Sequence, residues 1–329
     1  MTIAPETSEP KSVNPTNMAA AQAAYFSVVA RFLDLADQLR AKRKGDGAAL
    51  FGEINRMITL LREDERMFLS LANAPYSFVV RKVGRPILAI LVVHGVNVMV
   101  YSLKISRDLG VPEKRLPYIA MAALCHNLGL LSASDDDLNR FFGGVNHAAE
   151  LAEFEAFTPD YLRQMQLAGP DLETVEALLS FTRNDEQALS RTSMHEAMYQ
   201  YAMIIHVCCV FEQLTHQRTY GEMLSPVDAL KKMRGEMKDY FHPEIIKLFF
   251  NHLSIYPLGS FVKLNSKETA KIVALNPGFI MRPVISIVLD EDGQEKVTPV
   301  RINLRDKPNL YIKQAFMDDA LTEKYINLF

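Results

Sequence analysis

Two long stretches of this 329-residue chain contain no charged residue, and they constrain the fold more than any other feature. Neither residues 86–103 nor residues 116–134 include an Asp, Glu, Lys or Arg. Each stretch approaches the length of a membrane span, but each is interrupted by proline and by polar residues, including His94 and His126. We therefore interpret both as helices buried in a large α-helical core, and we predict no membrane span.

Composition narrows the class of protein. The chain has 36 Lys and Arg against 39 Asp and Glu, so its net charge of −3 argues against a protein that binds nucleic-acid polymers. Three cysteines, of which Cys208 and Cys209 are adjacent, cannot form a disulfide framework and suit a reducing compartment. The first residues lack the basic start and apolar run of a secretory signal. We expect a cytoplasmic location.

The N-terminal part of the chain divides into two regions. Residues 1–17 are rich in Pro, Ser, Thr and Asn without periodicity, which predicts a disordered leader. Residues 18–73 carry two apolar stripes at helical spacing, separated by a Gly45-Asp46-Gly47 turn, and they predict an N-terminal helical hairpin. The hairpin is interpreted as packed on the main body, and the alternative is a coiled-coil-like handle for dimerisation.

The rest of the chain divides where the hydrophobic period changes. Residues 74–255 keep helical spacing and predict one helical domain. After Pro257 the period becomes that of strands, so residues 256–306 predict a small β subdomain of three or four strands. Residues 307–329 are interpreted as a mixed tail with room for one short helix.

Several blocks of sequence together indicate a family. The block HGVNVMVYSLKISRDLGVPEKRLPYIAMAALCHNLGLL resembles the first half of the HD-GYP family, the bacterial phosphodiesterases that open cyclic di-GMP. The blocks AMIIHVCCVFEQLTHQRTYGEMLSPVDAL and DYFHPEIIKLF are similar to its later helices. The blocks YPLGSFVKLNSKETAKIVALNP and RPVISIVLDEDG are similar to the β appendage often found behind that domain. The resemblance covers about residues 72–305, in order.

The resemblance implies a fold and a type of chemistry. The fold is mainly α: an HD-domain helical bundle with a small C-terminal β appendage. In the family, a histidine, a His-Asp pair, further histidines and a last aspartate hold two or three iron or manganese ions. Bridging carboxylates neutralise the closely spaced ions, and the ions convert a shared water into the nucleophile that attacks phosphorus.

This chain departs from the family pattern at most of those positions. His94 and His126 match, but the aspartate of the His-Asp pair is Asn127 and the last aspartate is Cys209. The Gly-Tyr-Pro signature is missing, and the chain has no histidine between positions 147 and 195, so the later histidine pair is absent. Further departures fall at Leu130, near Thr158-Pro159 and near Thr182-Arg183.

We therefore expect a catalytically degenerate HD-GYP-like signalling protein with no cofactor. It would act by binding a signalling protein or cyclic di-GMP itself. The first alternative is an active metal-dependent phosphodiesterase with an altered ligand set that holds iron or manganese. The second is a structural module that forms a homodimer through residues 18–73.

Two further interpretations would keep a metal. His94, His126 and Cys209 could bind one zinc ion, since a thiolate is a good soft ligand, although a buried cysteine is more often a small hydrophobic residue. The other would recruit His147 with Asp135–Asp137. Those acids are better explained as the start of a helix.

Other polar residues are given structural roles. Arg218 and Tyr220 match an Arg-x-Tyr motif of the family, and the arginine is expected to hydrogen-bond carbonyls at a helix end. A mildly basic run is predicted to be a solvated face rather than a phosphate site; its members are Lys104, Arg107, Lys114 and Arg115.

Overall fold

A computed structural model describes residues 15–83, 86–142, 153–167, 174–176, 178–179, 193–216, 223–252, 256–276 and 279–329. Helix α1 (Pro15–Arg40) pairs with α2 (Gly47–Glu63) as the expected hairpin. The Asp46 carboxylate accepts a hydrogen bond from the Ala49 amide and caps α2. Helix α1 already begins at Pro15, so residues 15–17 do not belong to a leader, and residues 1–14 lie outside the described part.

The hairpin is part of the main core. Leu33 and Ala36 of α1 and Leu50 and Ile54 of α2 are buried in the same apolar cluster as the rest of the helical domain. Helix α1 contacts α3 (Arg66–Ala72) and α5 (Pro86–Asp108) directly. The interpretation of a hairpin packed on the main body is therefore confirmed.

The first charge-free segment forms the central helix of the domain. Helix α5 contacts α1, α3, α4 (Tyr76–Val83) and α6 (Leu116–Cys125). Among the described residues it is the one helix long and apolar enough to cross a membrane, judged by length and composition, and most of it is buried inside the protein. Gly110, at φ +70°, follows the end of the helix, a position that favours glycine.

The second charge-free segment is not one continuous helix. Helix α6 stops at Cys125, His126 follows it, and a 3-10 turn spans Leu128–Ser132. A Cβ atom at Gly129 would collide with the carbonyl oxygen of Phe154. The backbone of this turn therefore packs directly on the neighbouring segment, and a glycine is required there.

Five further helices with defined bounds lie between residues 135 and 252 in the described ranges, and the one at Asp135 begins as predicted. Ser225 accepts a hydrogen bond from the Asp228 amide, with Pro226 at the first helical position. Asp135 and Asp137 lie in the first turn of their helix. The five are α7 (Asp135–Phe142), α8 (Thr158–Gln164), α9 (Ser193–Thr215), α10 (Pro226–Arg234) and α11 (Pro243–His252).

The C-terminal part is an antiparallel sheet of five strands, so the expectation of three or four was too low. The order is β4-β3-β2-β1-β5, and every neighbouring pair is antiparallel. The strands are β1 (Phe261–Leu264), β2 (Thr269–Ala274), β3 (Val284–Leu289), β4 (Glu295–Asn303) and β5 (Ile312–Phe316).

The residues predicted as a tail complete this sheet. Strand β5 pairs with β1 at the edge, and α12 (Asp319–Tyr325) follows it. Ala315 is the one buried residue of β5, so the strand lacks the apolar alternation that would have identified it. The β unit therefore extends beyond residue 306.

Helix α12, which follows strand β5, joins the sheet to the helical domain. Asp319 of α12 accepts a hydrogen bond from Ser77 of α4 at 2.7 Å and forms an ion pair with Arg81. Lys271 of β2 is buried, and its Nζ donates to the carbonyl oxygens of Tyr325, Ile326 and Leu328 at 2.8–3.0 Å. These contacts hold the last residues of the chain against the sheet.

Candidate metal centre

Three helices bring His94, His126 and Cys209 to one point. His94 lies in the middle of α5, His126 directly follows α6, and Cys209 lies on α9. Their ligand atoms all lie within 4.8 Å of one another. Nε2 of His94 is 3.1 Å from Nε2 of His126 and 3.7 Å from Sγ of Cys209. This is the grouping that the zinc interpretation requires.

Each imidazole ring is oriented by a hydrogen bond at its other nitrogen. Nδ1 of His126 lies 2.7 Å from the carbonyl oxygen of Ala123, which can only accept, so this nitrogen carries a proton. Nδ1 of His94 lies 2.5 Å from Oε2 of Glu212. Both Nε2 atoms therefore face the centre of the cluster. Such outer partners commonly orient metal-binding histidines.

The distances agree with a single tetrahedral ion. Zinc binds imidazole nitrogen at about 2.0–2.1 Å and thiolate sulfur at about 2.3 Å. At tetrahedral angles, two nitrogens are then about 3.3 Å apart and a nitrogen and a sulfur about 3.6 Å apart. The separations of 3.1 Å and 3.7 Å measured from His94 Nε2 are close to these values.

Glu212 is the functional residue that the sequence analysis missed. Its side chain is 0% exposed. Besides its contact with His94, its carboxylate accepts hydrogen bonds from the Tyr76 hydroxyl at 2.7 Å and from Asn97 Nδ2 at 3.0 Å. The available signal was a single acid within the apolar run of α9, IIHVCCVFEQL. A buried acid needs partners, and here three side chains hydrogen-bond it while Nδ1 of a fourth, His216, lies 3.6 Å from Oε1.

Two hydrogen bonds connect the Glu212 carboxylate to the N-terminal hairpin. The Tyr25 hydroxyl of α1 donates to Asn97 Oδ1 at 2.6 Å, and Asn97 in turn donates to Glu212. Tyr25 and Asn97 are both fully buried. Nothing in the sequence pattern of either residue indicated this link.

The charges in the cluster influence one another strongly. Burial would lower the pKa of His94, but the Glu212 carboxylate raises it to about 10. Burial would raise the pKa of Cys209, but His126 and His94 lower it to about 5. Burial would likewise raise the pKa of Glu212, yet His94 and Tyr76 hold it at about 2. These shifts favour the protonated form of His94 and the thiolate form of Cys209.

The neighbouring cysteine shows that this effect is local. Cys208 is fully buried, and burial raises the pKa of its thiol well above the ordinary value. Cys209, one residue later on the same helix, also accepts a hydrogen bond from Gln213 Nε2 at 3.2 Å. Its sulfur thus lies in a polar environment, unlike a cysteine that only fills space in a core.

The residues do not fit the two or three ions of the HD-GYP family. Within the described ranges, the ligand cluster contains no carboxylate. Glu212 faces Nδ1 of His94, the nitrogen directed away from the cluster. Nδ2 of Asn127 is buried without a hydrogen-bond partner in the described structure, and the amide carries no charge. Two divalent ions would leave several positive charges uncompensated in a buried site.

The other candidate ligands do not join this cluster. Asp135 forms an ion pair with Arg40 at 2.9 Å, and Asp137 hydrogen-bonds the Ser134 hydroxyl at 2.6 Å. These acids serve the start of α7, as predicted. His147, Arg218 and Tyr220 lie outside the described residues.

Half of the basic run was misinterpreted. Lys104 is only 12% exposed and pairs with Glu65 at 3.1 Å and with Asp108 at 2.6 Å. Arg107 donates to the Leu61 carbonyl oxygen at 2.9 Å. These two cations hold α2 and α3 against α5 and are not a solvated face. Lys114 and Arg115 are exposed, as expected.

Comparisons with known proteins find one family that matches the C-terminal sheet and one relative that matches a longer part of the chain. Residues 261–324, which include the five strands, match the family described as a KOW domain associated with HD domain. Over 232 residues the chain is 22% identical to a cyclic di-GMP phosphodiesterase of Pseudomonas aeruginosa. That alignment covers 68% of this chain and 50% of the relative, so the chain spans about half the length of the curated relative it matches. No solved structure matches the chain.

Proposed function

We infer that this chain, which belongs to the HD-domain family, is a bacterial signalling protein that does not hydrolyse cyclic di-GMP. One observation carries the inference: no carboxylate of the described residues faces the point where His94 and His126 meet. Asn127 and Cys209 occupy the positions where the family pattern has its two aspartates. The described part of the site therefore offers no group that would bridge a pair of ions.

The charge of two divalent ions would greatly exceed the opposite charge that their ligands supply. Two divalent cations bring four positive charges, whereas two neutral imidazoles and one thiolate bring a single negative charge. Uncompensated charge in a buried site costs on the order of several kcal/mol per ion. In-line attack on a phosphodiester by a two-metal mechanism needs both ions, to activate the water and to stabilise the leaving oxygen. The ligand set supports at most one.

We propose that the protein acts by binding, either to cyclic di-GMP or to a signalling protein in the bacterial cytoplasm. The similarity to a cyclic di-GMP phosphodiesterase supports the nucleotide, and the free cysteines support the reducing compartment. The alternative of a dimerisation handle is less favoured. The apolar stripes of α1 and α2 pack in the core of their own chain and are not available as an exposed seam.

An active phosphodiesterase remains the competing function, and one contact favours it. Glu212 still orients His94 as the outer partner of a metal ligand would. A phosphodiesterase with an altered ligand set would preserve this contact.

A hydrolysis assay distinguishes the two functions. The full-length protein is incubated with cyclic di-GMP and, in turn, Mn²⁺, Fe²⁺ or Zn²⁺, beside the His126→Ala variant. We expect no more linear product from the wild type than from the variant. Metal-dependent turnover that His126→Ala abolishes would instead establish the phosphodiesterase. A parallel titration with labelled cyclic di-GMP tests the binding role. Saturable binding would support the nucleotide as the ligand, and no binding would leave a signalling protein as the partner.

A further inference from the structure

We propose that His94, His126 and Cys209 form a binding site for one Zn²⁺ ion. The site is the one discussed above, but the proposal does not depend on the absence of hydrolysis, since a single bound zinc and the loss of two-metal chemistry are separate properties. Proton positions, donor chemistry, charge and the surrounding hydrogen bonds each support the zinc site.

The proton positions require a cation between the rings. The Ala123 carbonyl fixes a proton on Nδ1 of His126, and the Glu212 carboxylate favours a proton on Nδ1 of His94. Two neutral rings would then direct bare lone pairs at each other across 3.1 Å. Lone pairs at that distance repel unless a proton or a metal ion lies between them. A metal ion replaces the single proton that the cluster otherwise holds.

The donor set suits zinc better than magnesium or manganese. A thiolate with two imidazoles is a borderline-soft set that suits Zn²⁺, whereas Mg²⁺ and Mn²⁺ prefer oxygen ligands. Zinc sites with three protein ligands, drawn from His, Cys and acidic residues, keep the fourth position for water. No fourth His, Cys, Asp or Glu joins the three within the described ranges. Solvent can therefore complete the tetrahedron.

The charge balance favours one divalent ion. The Cys209 thiolate and the Glu212 carboxylate together carry two negative charges, and one Zn²⁺ with neutral histidines brings the buried group to zero. A second divalent ion would leave its own two positive charges in the buried group without opposite charges. The cost of isolated buried charge therefore favours a stoichiometry of one.

The outer hydrogen bonds hold this arrangement in place before metal binds. Glu212 is fixed by Tyr76 and Asn97, and Asn97 is fixed by Tyr25. All four side chains are buried. A pre-organised site loses little conformational entropy when the ion enters, which raises affinity. We assign Glu212 as a positioning residue that acts on the metal through His94.

The test measures metal in the full-length protein and then follows cobalt as a spectroscopic substitute. Protein purified without added metal is analysed for Zn, Fe and Mn, stripped with a chelator, and titrated with Co²⁺. We expect about one equivalent of zinc or, after stripping, saturable Co²⁺ binding at one equivalent. Tetrahedral Co²⁺ bound to a thiolate produces a charge-transfer absorption band, which reports the sulfur ligand directly.

Adjacent cysteines provide the matched control. Cys209→Ala should abolish the charge-transfer band and weaken Co²⁺ binding by about 100-fold or more, because it removes the only anionic ligand. Cys208→Ala removes a buried thiol one residue away and should retain the band and the affinity. A wild-type protein that binds neither Zn²⁺ nor Co²⁺ at one equivalent would overturn the proposal, as would a band that persists in Cys209→Ala. The wild-type measurement decides the matter even if a variant fails to fold.

These outcomes are independent of the hydrolysis assay. Zinc binding without turnover supports both proposals, and turnover with iron or manganese overturns the proposed function. The absence of metal together with the absence of turnover overturns only the zinc site.

Discussion

Oε2 of Glu212 lies 2.5 Å from Nδ1 of His94, on the side of the ring opposite the nitrogen that faces His126. This one contact explains how a buried acid and a buried imidazole coexist in an apolar core. It also explains why the acid is not a metal ligand: it reaches the back of the ring and leaves Nε2 for the cluster. The carboxylate therefore sets the orientation and the charge of His94 from outside the site.

The first prediction concerns Glu212→Gln. The amide keeps an oxygen for Tyr76 but removes the negative charge, so His94 loses its charged partner and Nε2 is less well oriented. We expect Zn²⁺ affinity to fall by about 10–100-fold. Breaking a buried charged pair should also lower the free energy of unfolding of the metal-free protein by about 3 kcal/mol.

Metal competition titrations and urea unfolding measure the two effects. Glu323→Gln is the control, because its surface ion pair with Lys82 should contribute less than about 1 kcal/mol. If Glu212→Gln behaved like this control in both measurements, Glu212 would have no positioning role.

The second prediction tests the degeneracy argument by repair. The double variant Asn127→Asp and Cys209→Asp restores two carboxylates beside His94 and His126. We expect its metal preference to shift from zinc toward iron and manganese, because oxygen ligands replace the thiolate. Hydrolysis of cyclic di-GMP should remain negligible, since the later histidines and the Gly-Tyr-Pro motif are still missing and one ion is insufficient.

Metal analysis, melting curves with and without metal, and the hydrolysis assay are run on wild type and double variant together. Two acids placed in the core without metal should destabilise the protein by roughly a few kcal/mol. Turnover in the wild type that the double variant does not exceed would refute our account of Asn127 and Cys209.

The third prediction concerns the link between the hairpin and the site. Tyr25→Phe removes the hydroxyl that donates to Asn97 and leaves the Asn97 oxygen buried without that donor. We expect the free energy of unfolding to fall by about 1–3 kcal/mol. The control, Tyr240→Phe, alters a ring that is 68% exposed and should change stability by less than about 0.5 kcal/mol. Equal effects of the two substitutions in chemical denaturation would show that the buried hydrogen bond contributes nothing.

The fourth prediction concerns pH and Lys271. Burial lowers the pKa of this lysine to about 7 from its ordinary value of 10.5. Between those two values the unfolded chain binds a proton that the folded chain has released, so this lysine makes stability rise with pH across that window. The Lys271→Met variant lacks this contribution. Relative to the variant, the wild type should therefore gain up to about 1 kcal/mol per pH unit from pH 7 to 10.

Urea unfolding of both proteins at several pH values measures this difference, and comparison of the pair cancels the titration of all other groups. The three carbonyl oxygens around Nζ and the face of Phe329, 4.2 Å away, oppose the effect of burial by stabilising the ammonium. A difference that stays flat with pH would mean that these contacts keep Lys271 fully protonated in the folded state.

Local rules were sufficient for much of the fold. The charge-free run of α5 and the stripe of α2 are properties of neighbouring residues, and the structure has them where they were predicted. The prediction failed where a distant segment decides the conformation. The turn that follows α6 packs its Gly129 backbone directly on residue 154, and β5 is a strand because β1 offers it an edge.

For the candidate site, the sequence by itself determined which ligand types are present and which are lost. Motif positions identified His94, His126, Asn127 and Cys209. At such a position, the residue type alone determines which ligand atom is offered. Only the tertiary structure decided how these groups are used. The pairing of Glu212 with His94, which sets the direction of the His94 Nε2 atom, spans 118 positions. Hydrogen bonds and charge interactions act over a few ångströms in space, and no local pattern in the chain records which residues will meet there.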